Sequence, residues 1–272
     1  MTSFYTSLNG LKNSQTDLST IAHNIANAET TGFKKSSVEF ADLVANGSAA
    51  NPRLSQGLGA TVAGINQNFS LGAIEQTGRS LDVAIDGDGF FAMRNPESGQ
   101  VLFTRNGNLQ IDGAGTITDF SGKNLQVFEV DATGTVINPG VTIDAVVPVT
   151  NAGGADLSSI TIEVNGLINA AYTDGTTELV GRMALASFAA PTGLRAVGST
   201  NWEATGFSGT PAFEVPANGR TGQLLSGMLE KSNVDLAEEM VGLITAQRNF
   251  QANAKAIDTA TQFSQTIINL RS

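Results

Sequence analysis

Apolar residues recur at alternating steps of four and three over the last part of the chain, Ser232–Ser272. This stretch contains no Pro and a single Gly, Gly242. The alternation is typical of a coiled-coil seam, and Asp235 with Glu238 resembles a capping box at a helix start. The pattern predicts a long C-terminal helix whose seam comprises Leu236, Met240, Leu243, Gln247, Phe250, Ala254, Ile257, Thr261, Ser264 and Ile268.

The same alternation occurs at the other end of the chain, within Thr2–Asn27. Its stripe comprises Phe4, Leu8, Leu11, Gln15, Leu18, Ala22 and Ile25, with Ile21 widening it. Because both seams include polar residues, neither helix is expected to be stable alone. We expect the two helices to pack on each other and on the termini of neighbouring copies. The alternative is that each packs on an ordinary globular core.

Between the helices, the pattern changes to short alternating stretches with frequent Gly and Asn. Such spacing predicts strands joined by turns, and three dipeptides are typical of hairpins: Asn106-Gly107, Asp112-Gly113 and Asp174-Gly175. The predicted strands are Ala60–Ile65, Phe69–Ile74, Leu81–Ile85, Phe90-Phe91, Val101–Thr104, Leu109–Ile111, Leu125–Val130, Val141–Val149, Ile160–Val164 and Arg182–Phe188.

These patterns predict an α+β fold in which the N- and C-terminal helices pair as a coiled-coil-like domain and an all-β domain is inserted between them. We assign residues 1–30 and 232–272 to the helical domain and 76–231 to the β domain. Residues 31–75 connect the two, and within them Val44–Leu58 is rich in Gly, Ser, Ala, Asn and Pro, as in a linker or surface loop.

The segment His23–Leu43 follows the first predicted helix. Asn24 and Asn27 can each bond backbone groups locally, and Phe33 has the pattern of an exposed apolar anchor beside Lys34 and Lys35. Composition alone favours a helix end and a loop for this segment.

Composition excludes several classes of function. Charged residues make up 15% of the chain, and the net charge is −10 with scattered Arg and Lys. This argues against a nucleic-acid-binding face and against an anionic membrane surface. No apolar run approaches the roughly 20 residues of a membrane span, so no membrane insertion is expected. The N-terminus lacks the pattern of a Sec-type signal peptide.

Catalytic chemistry has little support in the sequence. There is no Cys and one His, His23, so neither a thiol nor a zinc site is expected. The segment from Asp86 to Glu97 mimics a calcium loop, but Phe91 stands where that loop needs Gly. We interpret Asp86–Gly89 as a tight turn that presents two buried phenylalanines, Phe90 and Phe91. No enzyme activity, catalytic residue, metal or cofactor is predicted.

Several segments together resemble the rod and hook axial proteins of the bacterial flagellum. The N-terminal SLNGLKNSQTDLSTIAHNIANAETTGFKKSSVEFADL is similar to the N-terminal signature of that family, including Asn24, Asn27, Gly32 and Phe33. QTGRSLDVAIDGDGFF and FTRNGNLQID are similar to the start of its β domain. LEKSNVDLAEEMVGLITAQRNFQANAKAIDTATQF is similar to its C-terminal helix.

This resemblance implies a structural subunit that polymerises into a helical tube around a channel. Its terminal helices would form the inner core, its β domain would lie outside, and it would be exported by the flagellar type III apparatus. The implied place is the flagellar hook or basal body, extracellular after export, beside other axial proteins such as those of the distal rod and the hook–filament junction. The predicted assembly interface comprises Phe4, Leu8, Leu11, Leu18, Ile25, Leu236, Met240, Leu243, Phe250 and Ile257.

Within the family, Leu58–Gln67, Gly181–Gly198 and Arg248–Asn253 are more similar to hook proteins than to distal-rod proteins. The resemblance therefore favours a hook subunit that transmits torque from rod to filament, and a distal-rod subunit is the alternative. Many hook proteins carry a further outer domain, for which Ala145–Asp156 leaves no room. A rival from another class is a secreted β-domain enzyme or carbohydrate binder, but the chain offers one Trp, two Tyr and no convincing acid pair.

Overall fold

A computed structural model describes residues 2–44 and 57–270 of the chain. The chain divides into two compact units, each built from separate segments. The first, here called the terminal unit, contains Met1–Ala28, Lys35–Asn68 and Val234–Ser272. The second, called the β unit, contains Glu29–Lys34 and Phe69–Asn233. Strands predominate, and two helices occupy the ends of the chain, as the sequence predicted.

The terminal unit contains two helices, α1 (Thr2–Ala26) and α2 (Leu236–Leu270). Asp235 caps α2, because its Oδ1 accepts the backbone N–H groups of Ala237 and Glu238 at 2.8 and 3.2 Å. Glu238 and Glu239 lie in the first turn, where the helix dipole stabilises negative charge. The predicted start of this helix is thereby confirmed. Among the described residues, no helix is both long and apolar enough to cross a membrane.

The terminal unit also contains an antiparallel pair of strands, β1 (Ser36–Val44) and β2 (Gly57–Gln67). Ser36 pairs with Gln67 at one end and Val44 with Gly57 at the other. Sequence reasoning had predicted the central part of β2 but had interpreted β1 as a helix end and loop. The central part of the predicted linker Val44–Leu58 lies outside the described residues.

The β unit is built from short strands, and all the strand pairs in its described residues are antiparallel. The strands are β3 (Ile74–Gln76), β4 (Val83–Asp86), β5 (Phe90–Arg94), β6 (Val101–Thr104), β7 (Leu109–Ile111), β8 (Ile117–Asp119), β9 (Asn124–Phe128), β10 (Ile143–Asp144), β11 (Leu157–Ile162), β12 (Leu167–Tyr172), β13 (Thr177–Met183), β14 (Leu185–Ser187), β15 (Arg195–Gly198), β16 (Asn201–Glu203), β17 (Ala212–Glu214), β18 (Gln223–Ser226) and β19 (Met228–Glu230). The main sheet has the order β11-β12-β13-β9-β5-β6-β16-β15.

Strand β5 divides the interior of the β unit into two apolar clusters. Phe91 belongs to the larger cluster with residues such as Val127 and Met183, and Phe90 belongs to a smaller aromatic cluster with Phe103 and Trp202. Neighbouring side chains in a strand point to opposite faces, so two consecutive phenylalanines serve two cores. Both are buried, as predicted for the residues presented by the turn before them.

Two of the predicted hairpin dipeptides lie in hairpins and one does not. Asp174-Gly175 joins β12 to β13, and Asp112-Gly113 lies between the paired strands β7 and β8. Asn106-Gly107 follows β6, which pairs with β5 and β16 rather than with β7. That prediction was wrong because Gly107 has another role. A Cβ atom there would lie 1.7 Å from the Val83 carbonyl oxygen, so the residue permits a close backbone contact.

Candidate assembly interface

Three matched pairs of residues show how helices α1 and α2 pack against each other. A Cβ atom on Gly10 would lie 2.6 Å from Asn253 Oδ1, and one on Gly242 would lie 3.4 Å from Ile21 Cδ1. Asn24 Nδ2 donates to Glu239 Oε2 at 3.1 Å. Positions ascend along α1 as their partners descend along α2 by the same intervals, so the helices are antiparallel. Glycine on each side permits the close approach.

The contact between the helices differs from the predicted seam by one residue on each helix. The contact residues Ile21 and Asn24 stand one position before Ala22 and Ile25 of the predicted stripe, and Gly242 stands one position before Leu243. One residue corresponds to a rotation of about 100° in an α-helix. Within the chain, glycine and polar residues together with Ile21 therefore make these contacts, and the apolar stripes lie to their side. Coiled-coil geometry remains a prediction.

The two apolar stripes lie on the same side of the helix pair. Both are displaced by one residue towards the C-terminus of their own helix, and antiparallel helices rotate in opposite senses when viewed from one end. The displacement therefore turns both stripes to a common side, which we call the apolar face. Leu236 is 45% exposed and Met240 53% exposed on this face. Phe4 is also exposed, and the other members are half-buried: Leu8, Leu11, Leu18, Ile25, Leu243, Phe250 and Ile257.

The hairpin of β1 and β2 contacts α1 on the opposite side. Asn13 Nδ2 donates to the carbonyl oxygen of Ala60 at 2.8 Å, and Asn9 Nδ2 donates to that of Leu58 at 3.5 Å. Asn9 and Asn13 stand one position before Gly10 and Ser14 and therefore project away from the apolar face. The hairpin thus contacts α1 on the side away from the apolar face.

Asn24 connects three elements of the terminal unit. Its side chain is buried, and it exchanges two hydrogen bonds with the backbone of Ser36, at 2.8 and 2.9 Å. The third bond is the one to Glu239, which also pairs with Lys35 at 2.8 Å. A local backbone bond was expected at Asn24, and this was wrong because its partners are on β1 and α2. The expectation holds for Asn27, whose Nδ2 donates to the His23 carbonyl oxygen at 2.9 Å.

One acidic residue of the terminal unit has a perturbed pKa. Burial raises the pKa of Asp17 above its ordinary value, and the negative charge of Glu239 raises it further. Asp17 lies on the same side of α1 as Ile21 and Asn24, the side that faces α2. The helix contact therefore holds a carboxylate in an unfavourable setting at neutral pH.

Gly32 and Phe33 lie in the β unit and have structural roles there. Gly32 has a φ of +70°, and a Cβ atom on it would lie 2.7 Å from the Asn106 nitrogen. Its N–H donates to the Glu230 carbonyl oxygen at 2.8 Å. Phe33 had been interpreted as an exposed anchor, but it is 8% exposed. That interpretation was wrong because the chain next to Phe33 is bound to the rest of the unit by Gly32 and Lys34.

Sequence reasoning missed a buried ionic cluster in the β unit. Lys34, Arg105 and Glu230 are all buried, and Lys34 Nζ lies 2.5 Å from Glu230 Oε1. Arg105 lies 3.4 Å from the other carboxylate oxygen, and the Gly72 N–H donates to Oε1 at 2.9 Å. Burial lowers the pKa of Lys34 although the Glu230 carboxylate acts in the opposite direction. The three charged residues are far apart in sequence, so no local pattern indicated the cluster.

Comparisons with protein families match three segments of the chain. Residues 4–34 match the family described as "Flagella basal body rod protein". Residues 84–170 match "Flagellar hook protein FlgE/F/G D1 domain", and residues 225–270 match "Flagellar basal body rod FlgEFG protein C-terminal". The matches thus cover α1, much of the β unit and α2.

Individual relatives match the chain over nearly its full length. The flagellar basal-body rod protein FlgG of Bacillus subtilis is 37% identical over 280 residues, covering 99% of this chain and 98% of the relative. FlgG of Borreliella burgdorferi is 32% identical over 283 residues, covering 100% and 99%. The flagellar hook protein FlgE of Escherichia coli is 28% identical over an alignment of 408 residues, covering 98% and 100%.

Proposed function

Because this chain belongs to the family of flagellar rod and hook axial proteins, we propose that it is a structural subunit of the distal rod of the flagellar basal body. Members of this family are structural proteins of the flagellum, located in its basal body and hook. The observation that carries the proposal is the match to the basal-body rod protein of Bacillus subtilis from end to end.

The alignments favour the rod, whereas the resemblance of short segments favoured the hook. The Bacillus subtilis rod relative aligns over 280 residues, close to the 272 residues of this chain. The Escherichia coli hook relative needs 408 alignment positions for the same chain. This relative therefore contains long segments with no counterpart here. The further outer domain of many hook proteins has no room within Ala145–Asp156. There, Asn151–Ala155 form a tight turn closed by backbone hydrogen bonds, which agrees with a shorter rod-like subunit.

We further propose that the apolar face of the terminal unit is the surface by which copies assemble. Leu236 and Met240 are exposed on it, although each is large and apolar, and residues of both helices contribute to it. Contiguous apolar surface of this kind is a mark of protein–protein contact. Neighbouring copies of the chain would cover it in a helical polymer, and other axial proteins would do so at the two ends of that polymer. Export through the flagellar type III apparatus belongs to the same proposal.

Electron microscopy of basal bodies from a strain lacking this chain tests the proposed role. For a distal-rod subunit, we expect rods that are truncated within the envelope and carry no hook. Complete rods without hooks would instead identify a hook subunit, which is the second candidate because the Escherichia coli hook relative also aligns with 98% of the chain. Normal basal bodies with hooks would contradict both.

A further inference from the structure

Asparagine is followed directly by glycine at five places in the sequence: Asn9, Asn46, Asn106, Asn165 and Asn218. Such a pair can react with itself, because glycine has no side chain to hinder attack of its backbone nitrogen on the side-chain amide of the asparagine. In a folded protein the attack requires that both groups be free of other contacts. Asn46 lies outside the described residues, so the structure describes four of these Asn-Gly pairs.

Three of the four pairs are held by the fold. Asn9 lies within α1, where the N–H of the following glycine belongs to the helix hydrogen-bond pattern. Asn106 Oδ1 accepts a backbone N–H at 3.1 Å, and the glycine after it is buried. Asn165 Oδ1 also accepts a backbone N–H, at 2.9 Å, and the N–H of the glycine after it donates to the Glu163 carbonyl oxygen at 2.9 Å.

The fourth pair, Asn218-Gly219, lies exposed in a turn between β17 and β18. Gly219 has a φ of +62°, and the Thr221 N–H donates to the Asn218 carbonyl oxygen at 3.2 Å. The turn therefore uses the backbone of Asn218 and not its side chain. Within residues 2–44 and 57–270, neither the Asn218 amide nor the Gly219 N–H has a hydrogen-bond partner. Both reacting groups are thus unbonded and open to water.

We infer that Asn218 is the residue at which the folded chain deamidates. The Gly219 nitrogen loses its proton to solvent and bonds to Asn218 Cγ, while the C–N bond of the side-chain amide breaks and ammonia leaves with a proton from solvent. The product is a cyclic succinimide. Water then adds to one of its two carbonyl carbons and opens the ring, which gives aspartate or isoaspartate. In total, one ammonia is lost and one water is gained, without any oxidant or reductant.

The modification places a new charge beside an existing one. Glu214 Oε2 accepts the Arg220 N–H at 3.3 Å, and a Cβ atom on Gly219 would lie 2.7 Å from the same oxygen. Deamidation therefore adds a carboxylate close to the Glu214 carboxylate, and like charges repel. In the isoaspartate product the main chain passes through the side-chain carbon. This displaces the carbonyl oxygen that also accepts Thr221 Oγ1 at 2.8 Å, so the turn should loosen.

Trypsin separates the four pairs, because each lies in a different peptide: residues 1–12, 106–123, 124–182 and 196–220. The purified chain is kept in warm buffer at neutral pH, and samples are digested and measured by mass spectrometry over time. Fragmentation of each peptide locates the modified residue. We expect Asn218 to react about tenfold faster or more than the other three, since one hydrogen bond accounts for a change of about that size. Equal or slower reaction at Asn218 would overturn the inference.

The same chain unfolded in urea is the matched control. There the four pairs have no fold to hold them, so we expect their rates to become similar. A preference for Asn218 that persists in urea would show that the fold is not its cause and would also overturn the inference. Asn218→Gln should abolish the mass gain of peptide 196–220, and thermal unfolding of this variant checks that the fold is retained.

Discussion

Asn24 and Glu239 lie opposite each other across the two terminal helices, with the Asn24 amide donating to the Glu239 carboxylate at 3.1 Å. Both side chains are buried, and Lys35 compensates the Glu239 charge at 2.8 Å. The beginning and the end of the chain are thus joined by polar groups that have specific partners. An apolar contact would tolerate sliding of the helices more readily, whereas this bond defines their register.

Substitution of Asn24 by Ala should destabilise the terminal unit. The change removes the bond that Glu239 accepts from Asn24 and both bonds between Asn24 and the Ser36 backbone, while Glu239 keeps its pair with Lys35. Unsatisfied buried groups cost about 1–3 kcal/mol. We expect the free energy of unfolding to fall by about 2–3 kcal/mol in urea titrations that monitor helix content. Asn27→Ala is the control, because Asn27 bonds to its own helix. Equal losses for the two variants would contradict this account of Asn24.

Substitution of Met240 by Asp should prevent assembly without unfolding the chain. Met240 is exposed on the apolar face, so a carboxylate is solvated in the free chain and is buried at cost only when copies pack together. We expect an unchanged unfolding temperature and no complete rods in electron micrographs. Ala252→Asp, on an exposed part of α2 away from this face, should assemble. Normal rods with Met240→Asp would contradict the assignment of the apolar face to assembly.

The two glycines in the helix contact should respond differently to Ala. A Cβ atom at Gly242 would meet Ile21 at an ordinary contact distance of 3.4 Å, so Gly242→Ala should stabilise the helix by up to about 1 kcal/mol. A Cβ atom at Gly10 would lie 2.6 Å from Asn253, so Gly10→Ala should be less favourable. Adding Asn253→Ala should recover part of that difference. Thermal unfolding of the three variants measures the order, and the reverse order would contradict the described packing.

Substitution of Asp17 by Asn should stabilise the chain at neutral pH and lose its effect in acid. The native pKa of Asp17 lies above its ordinary value of 3.8, so the native state binds the proton more tightly than the unfolded state does. In the protein that keeps Asp17, the stability contributed by this tighter proton binding is present below the ordinary pKa. It is lost as the pH rises through the raised pKa. Unfolding of both proteins between pH 3 and 7 measures the difference. A constant difference would show that the charge of Asp17 is not its cause.

Removal of the Glu230 carboxylate should severely destabilise the β unit. Glu230→Ala removes the carboxylate that the buried Lys34 and Arg105 share, and breaking a buried pair costs about 3–5 kcal/mol. Glu75→Ala is the control, because Glu75 pairs with Lys231 at the surface and exposed pairs contribute little. Urea unfolding monitored by the fluorescence of Trp202, which lies in the β unit, compares them. Similar midpoints would show that the buried cluster is not required.

Periodicity in the sequence was sufficient to locate both helices, because it reports one element at a time. It also located β6 and β7 with their observed bounds. It could not show which face of each helix meets the other, since Gly10 and Gly242 have no apolar side chain to signal a contact. The apolar stripe of each helix was therefore assigned to the partner within the chain as well as to neighbouring copies.

Contacts between distant segments were not predictable in the same way. In the sequence, Lys34 is only one of two lysines beside Phe33, and only the fold shows that Glu230 lies next to it. β1 was missed because its outward residues are a mixture of polar and apolar types, and pairing with β2 rather than its own pattern defines it. The assignment to hook or rod depended on whole-chain similarity, which short segments represent poorly.

The ion pair of Lys34 with Glu230 joins residues 196 positions apart, and Asn24 with Glu239 joins residues 215 apart. Contacts of such long range form late and slowly, because closure of a long loop costs entropy before any contact repays it. During synthesis, neither unit can be completed until residues beyond about Glu230 have left the ribosome. A nascent chain of this design remains open for most of its synthesis, and its final segment decides when folding can finish.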